Sequence, residues 1–222
     1  TYSSNINLTG ESNEDLYFYK QEHVNLKKGE RARYNVLTAK VPCEHVYTWD
    51  VPDSSQINES GYRYGNQDNR IQAPQVWHTL RLENTSGKPW TTAPAIAVKG
   101  STPVSQDMLK YAAPKSKTDL KLTVATDIRA EQEQTEESRK EVSILNSRFF
   151  EVTVSGKLII ANFKDKQVKM SVVKSIMGDV ITCPDGKVKK VAKKINAINQ
   201  TSDVIWEFEL PAGKTKELTY TY

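Results

Sequence analysis

Three histidines (His23, His45, His78) and two cysteines (Cys43, Cys183) are the side chains in this sequence best suited to metal binding or nucleophilic chemistry. Their spacing matches no H-E-x-x-H helix and no Cys/His zinc pattern. Cys43 and His45 stand two apart, so in a strand they would share a face and offer two ligands. A metal needs more than that. His78 has the parity of Val76, Leu80 and Leu82, and reads as a partly buried, hydrogen-bonded histidine. No Gly-x-Ser-x-Gly elbow and no phosphate-cradling Gly-rich loop occurs. Glu207 and Glu209 alternate with Trp206, Phe208 and Leu210, which makes them a solvated strand face rather than an acid/base pair. The sequence therefore nominates no catalytic residue, no metal ligand set and no cofactor.

Binding residues are better represented. Tyr62, Arg63 and Tyr64 lie in the polar stretch Asp53–Ala73, which reads as an insertion loop, and Trp90 sits at the edge of the Ser86–Lys88 turn. Tyr and Trp pair a broad apolar face with a polar tip, which suits interface anchors and sugar-stacking platforms. These four residues are the candidate binding surface, for a protein partner, the remainder of the same chain, or a glycan. The competing reading is that Trp90 packs on a neighbouring strand and the tyrosines pin their own loop. Lys157–Lys194 holds ten lysines against Asp165, Asp179 and Asp185. Such an excess suits an anionic surface, or simply keeps a β domain soluble.

The elements that carry these residues follow a period of two. Val204, Trp206, Phe208 and Leu210 alternate with polar positions or Ile205, placing Trp206 and Phe208 together on a buried face. Leu120–Val124, Val168–Ile176, Leu218–Tyr222, Leu16–Lys20, Val24–Leu26, Ala32–Leu37, Val46–Val51, Val76–Glu83 and Ala95–Val98 read the same way. Phe150 to Ile160 forms a long strand in which Gly156 marks a bulge. Glu131–Arg148 is Glu-rich and reads as a strand end followed by a mobile loop. Lys187–Asn199 reads as a Lys-studded edge strand, which discourages edge-to-edge pairing, although its apolar residues also fit one face of a helix. Turn signals at Lys28–Gly29, Ser86–Pro89, Lys164–Lys166 and Pro211–Gly213 punctuate the runs.

Many short alternating strands predict an all-β protein: two tandem antiparallel β-sandwich units of immunoglobulin or fibronectin type, or one continuous β domain. Residues 1–14 read as an N-terminal tail, 15–125 as the first unit and 126–222 as the second. Two internal echoes support a pair of units. LRLENTSGKPW and LIIANFKDKQV share strand, Asn, polar turn and strand; LKKGERARYNVL (Leu26–Leu37) and LPAGKTKELTY (Leu210–Tyr220) share a Gly turn before a strand.

A net charge of +4 on 222 residues, with no nucleic-acid reader motif, does not point to a nucleic-acid partner. No apolar run is long enough for a transmembrane helix. Cys43 and Cys183 read as free thiols. The N-x-S/T triplets at Asn7, Asn58, Asn84 and Asn199 are glycan acceptors only in a compartment that glycosylates.

LENTSGKPWTTAPAIAV, VSQDMLKYAAP (Val104–Pro114) and VIWEFELPAGKTKELTYTY (Val204–Tyr222) resemble the C-terminal β region of mucoidy-inhibitor-A-like bacterial proteins, a domain of unknown function. The shared features are an N-x-S/T-G-x-P turn, a small-residue–Pro strand entry, a Gln-acidic-x-Leu step and a closing W…LPPGE…LTY strand. Glu22–Asp50 is similar to the family's opening L-x-x-G hairpin, so the likeness runs from about residue 15 to the end. Lys115 departs from the family, which tends to have Gly there, and the family's N-terminal, often coiled-coil portion is absent. The resemblance implies a fragment of a larger envelope or secreted protein, periplasmic or extracellular, acting as a non-enzymatic interaction or structural module. A carbohydrate-binding accessory module, or the non-catalytic part of a larger enzyme, is the alternative. No catalytic residue carries over.

Overall fold

A computed structural model of the chain describes residues 10–13, 16–20, 22–51, 74–144, 147–191 and 199–222. The described residues are all-β, with no helix among them. The strands are β1 (Gly10–Asn13), β2 (Leu16–Tyr19), β3 (Cys43–Val51), β4 (Trp77–Glu83), β5 (Ala93–Lys99), β6 (Thr102–Leu109) and β7 (Lys117–Val124), followed by β8 (Ile128–Ile144), β9 (Ser147–Asn162), β10 (Val168–Met177), β11 (Lys187–Lys190), β12 (Thr201–Leu210) and β13 (Thr215–Thr221). They form a six-stranded sheet in the order β11-β12-β10-β3-β4-β7, a three-stranded sheet β13-β9-β8, and the two-stranded pairs β1-β2 and β5-β6. Pairing is antiparallel at β1-β2, β10-β12, β11-β12, β8-β9 and β9-β13. β3 and β10 run parallel, Met170 beside Tyr47 and Val172 beside Trp49.

By compactness the chain divides into two interleaved units. One comprises Thr1–Glu44, Arg81–Ala95 and Met108–Leu120; the other comprises His45–Leu80, Ile96–Asp107 and Lys121–Tyr222.

The second unit holds the main core, and its construction follows the period of two. Val168, Met170, Val172 and Ile176 of β10 are buried, as are Val204, Trp206 and Leu210 of β12, Leu158 and Ile160 of β9, and Leu218 and Tyr220 of β13. All belong to one apolar cluster with Trp49, Val51 and Val76. Trp206 is only 1 % exposed, and its indole N–H donates to the Pro184 carbonyl at 3.0 Å. Phe208, on the same face, is half-buried and packs at the rim of the cluster, with the Lys216 ammonium 4.6 Å from its ring centre. Full burial of both aromatics holds for Trp206 alone.

Lys174 also has the core parity of β10 and is 0 % exposed. Its ammonium lies 6.0 Å from the centre of the Tyr220 ring, and its neighbours across the sheet are Val204 and Val51. This lysine leaves the solvated run that the sequence assigns to Lys157–Lys194.

Four expectations need correcting. The described part of Glu131–Arg148 is strand and not loop: β8 and β9 pair from Ile128–Asn162 to Ile144–Ser147, with one register shift. β13 pairs with β9 only over Ser155–Ala161, followed by the mutual Val154–Tyr222 backbone bonds. Beyond that point β8 and β9 continue alone as a two-stranded ribbon. Both faces of such a ribbon meet water, so no alternation of apolar and polar residues is needed. The bulge lies on β8 between Glu136 and Ser138, where the ribbon leaves the third strand, and not at Gly156. Gly156 pairs regularly with Tyr220, whose ring lies directly over it. Finally, Val24–Leu26 and Ala32–Leu37 form no strand. The Gly turn of the first segment is present, with Glu30 N–H donating to the Lys27 carbonyl at 3.0 Å and Gly29 at φ +90°, but the strand after it is not. Lys187–Lys190 forms the edge strand expected of it; residues 192–198, like the Asp53–Ala73 loop, lie outside the described residues.

A Cβ built on Gly156 would stand 2.2 Å from Cζ of Tyr220, and that ring is held by Gln132 and Gln134, each donating to its hydroxyl at 3.0 Å. The ring cannot swing aside without breaking both bonds. Gly156→Ala is therefore expected to cost about 1–3 kcal/mol through overpacking, read by chemical denaturation. The double variant with Tyr220→Leu should recover part of that loss; an unchanged midpoint in the single variant would refute this account.

Candidate functional site

Two buried asparagines organise the places where the sequence put chemistry. Asn84 directly follows β4 and is 0 % exposed. Its Nδ2 donates to the carbonyls of Lys88 (2.7 Å) and Ala112 (2.9 Å), and its Oδ1 accepts from the backbone N–H (3.1 Å) and hydroxyl (2.6 Å) of Ser86. Asn162 ends β9 and is bonded in the same way. Its Nδ2 donates to Lys166, Leu210 and Pro211 carbonyls at 2.9, 3.1 and 3.1 Å, and its Oδ1 accepts from Lys164 N–H at 3.0 Å. Each backbone N–H also reaches a matching site, Ser116 O for Asn84 and Lys214 O for Asn162, both at 2.9 Å. The receiving turns match as well. Ser116 N–H donates to Ala113 O with Lys115 at φ +68°, and Lys214 N–H donates to Pro211 O with Gly213 at φ +65°. A positive φ at the third turn position is the type II geometry that favours glycine. The echo between LRLENTSGKPW and LIIANFKDKQV is thus a repeated three-dimensional device.

Trp90, the candidate binding aromatic, belongs to the first of these devices. It is half-buried, forms a backbone bridge with Ala112, and donates its indole N–H to Ser86 Oγ at 3.0 Å. Its polar tip is used within its own turn, the arrangement of the competing structural reading. Tyr62, Arg63 and Tyr64 lie outside the described residues.

A second cluster lies on β3 and β4. His45 Nδ1 and His78 Nε2 are 2.8 Å apart, one ring donating to the other according to tautomer. His78 stacks on Tyr47, with ring centres 4.8 Å apart and planes at 11°. The Lys164 ammonium sits 5.6 Å from the Tyr47 ring centre and 3.0 Å from an Asp127 carboxylate oxygen. Burial holds the His78 pKa below its ordinary value, and the charges of His45, Lys164 and Lys166 add to the effect. The hydrogen bond to Asp127 raises that of Lys164. The sequence places His78 correctly as a partly buried, hydrogen-bonded histidine but misses its partner. Cross-strand register could have found His45, yet the strands are separated by a long insertion.

Chemically, the pair can share or accept a proton. Two imidazoles fall short of the three or four ligands of a zinc site, and among the described residues no three His, Cys, Asp or Glu side chains come together to hold a metal. Cys43 is exposed and Cys183 half-buried, and both are free thiols. Glu207 and Glu209 are exposed, with Glu209 accepting from Gln167 at 2.6 Å. A shallow hollow of about 200 Å³ is lined by Pro42, Cys43, Glu44, Arg81, Glu83 and Lys117, smaller than the usual small-molecule cleft. Its Arg81 is already forked onto Asp119 at 2.9 and 3.1 Å. Compared with models of protein families, with curated proteins and with solved structures, the chain finds no match.

Asn162→Ala would remove the side-chain partner of three carbonyls and one N–H, of which the bond to Leu210 is buried and the others half-buried. A loss of about 2–4 kcal/mol is expected, and Asn162→Asp should do no better, because a carboxylate cannot donate. Denaturant unfolding of both variants measures this. For the histidines the sign follows from the depressed pKa of His78: the fold prefers its neutral form, so its contribution is present above the unfolded value of 6.5 and is lost as pH falls through the lower folded value. Stability should therefore decline as pH falls below 6.5, and His78→Gln should flatten that decline. Thermal melts across the range, in both proteins, supply the comparison.

Proposed function

We propose that this chain is a non-enzymatic interaction or structural module, built on an immunoglobulin-like β-sandwich plan, within a larger bacterial envelope or secreted protein. The observation that carries the reading is the β8–β9 ribbon. Seven residue pairs, from Ser138–Thr153 to Ile144–Ser147, extend past the last backbone contact with β13. At about 3.4 Å per residue they project roughly 20 Å. Phe150 is 60 % exposed on this ribbon, under the Arg139 guanidinium at 5.5 Å, while Arg139 itself is forked onto Glu136 at 2.8 and 2.7 Å. A two-stranded ribbon without a packed face is marginal in water, so a partner that covers it gains binding energy where the chain alone gains little.

Further support comes from how the chemically capable groups are used. Asn84, Asn162, Trp90 and the histidine pair are engaged in holding turns and strands. The sandwich plan is supported by the common core that side chains of β9 and β13 make with those of β10 and β12. The repeated asparagine turn supports two similar units. The bacterial envelope setting rests on the resemblance to mucoidy-inhibitor-A-like proteins. A protein partner, or the remainder of the same chain, is favoured over a glycan, because the Trp90 indole N–H is already committed to Ser86.

The test is amide hydrogen exchange over 138–144 and 147–153. In the isolated module these amides should exchange early, and in the full-length protein or its complex they should become protected by about tenfold or more. Equal exchange in the two settings would show that the ribbon docks nothing.

A further inference from the structure

We propose that copies of this chain associate head to tail, the acidic outer edge of β8 in one copy pairing with the basic outer edge of β11 in the next. β8 and β11 are the terminal strands of their sheets, so among the described residues no further strand pairs with the outer edges at 131–133 and 187–190. Over the stretches 131–133 and 187–190 the charges are opposite, with Arg129 preceding the acidic pair on β8. β8 carries exposed Glu131 and Glu133, and β11 carries exposed Lys187, Lys189 and Lys190.

The faces also agree. On β8, Ala130, Gln132 and Gln134 stand beside buried Ile160, Leu158 and Gly156, which turns Glu131 and Glu133 to the outer face. On β11, Val188 and Lys190 stand beside buried Val204 and Ser202, which turns Lys187 and Lys189 to the outer face. With Gln132 placed opposite Val188, an antiparallel pairing sets Glu131 against Lys189 and Glu133 against Lys187. A parallel pairing sets Glu131 against Lys187 and Glu133 against Lys189. Either way the acids meet the lysines on one face, and opposite-charge pairs across strands are favourable.

The two edges meet only between copies. The segment leading into β11 is tied to β13 by the Thr182–Thr221 bridge, and β13 flanks β9 on the side away from β8. Different surfaces of each copy meet at such a contact. It is therefore heterologous and grows into an open chain, or a ring where the rotation closes. The interface is short and charge-dominated, so it suits weak, salt-sensitive association.

Sedimentation velocity over a concentration series reads this directly. Wild-type protein should shift to larger species as concentration rises, and the shift should weaken by about tenfold or more in high salt. Glu131→Lys/Glu133→Lys and Lys187→Glu/Lys189→Glu should each stay single alone, with unchanged circular dichroism. Their equimolar mixture should associate again, because each restores the opposite charge to the other. A wild type that remains single at the highest soluble concentration overturns the proposal. So does association indifferent to both charge swaps, or a mixture that stays single. Lysine-dependent capture on anionic vesicles without self-association would also overturn it and assign β11 to a lipid surface. None of the four substituted positions lies in the 138–153 ribbon, so this result is independent of the ribbon exchange.

Discussion

A side-chain amide closed off from water must find protein partners for both of its hydrogens and its oxygen. Asn162 finds them in three separate places: the turn that follows it, the end of β12, and the first residue beyond that end. The geometry of the second unit depends on that convergence. It fixes where β9 stops, how tightly the chain reverses into β10, and how β12 passes into β13. Any strand that slipped by one residue would turn its buried face to solvent and would also move the carbonyls that Asn162 needs. Asn84 exerts the same constraint in the first unit with almost the same partners. The repetition explains why two segments with little identity share an Asn at the same step.

Strand content was legible wherever one face of a strand is buried. β4, β7, β10, β12 and β13 all declared themselves by alternation, and the asparagine turns by their echo. The β8 side of the ribbon was illegible for the opposite reason, whereas Phe150–Ile160 of β9 read as a strand. Glu131–Lys140 is polar or charged at every position, so no alternation shows and the pattern resembles a loop. The parallel neighbourhood of β3 and β10 was equally hidden, since no local signal reports a pairing between residues more than a hundred positions apart. Segment 31–42 shows the converse failure: Ala32–Leu37 alternates, yet its residues are mostly exposed and, among the described residues, pair with no strand.

The site was partly legible. Parity alone placed His78, and it would have placed Lys174 had the lysine been counted with Val172 and Ile176 instead of with its charged neighbours. Lys115 occupies the left-handed position that Gly213 fills in the repeated turn. A lysine there carries a backbone cost that glycine avoids. Trp90 offers aromatic surface in the sequence, and the structure adds that its indole N–H donates to the hydroxyl of Ser86, four residues away.

Lys174 has one further consequence. An amine-reactive reagent acts on lysines according to how often their nitrogen meets solvent. Those of β11 are open, whereas Lys174 is enclosed by the core. Its acylation must wait for that core to open, so the side chain is a chemical clock wound by the fold itself. Mass spectrometry of a briefly labelled sample would then read two times from one molecule: the ordinary reactivity of a surface amine, and the waiting time for β10 to part from β12.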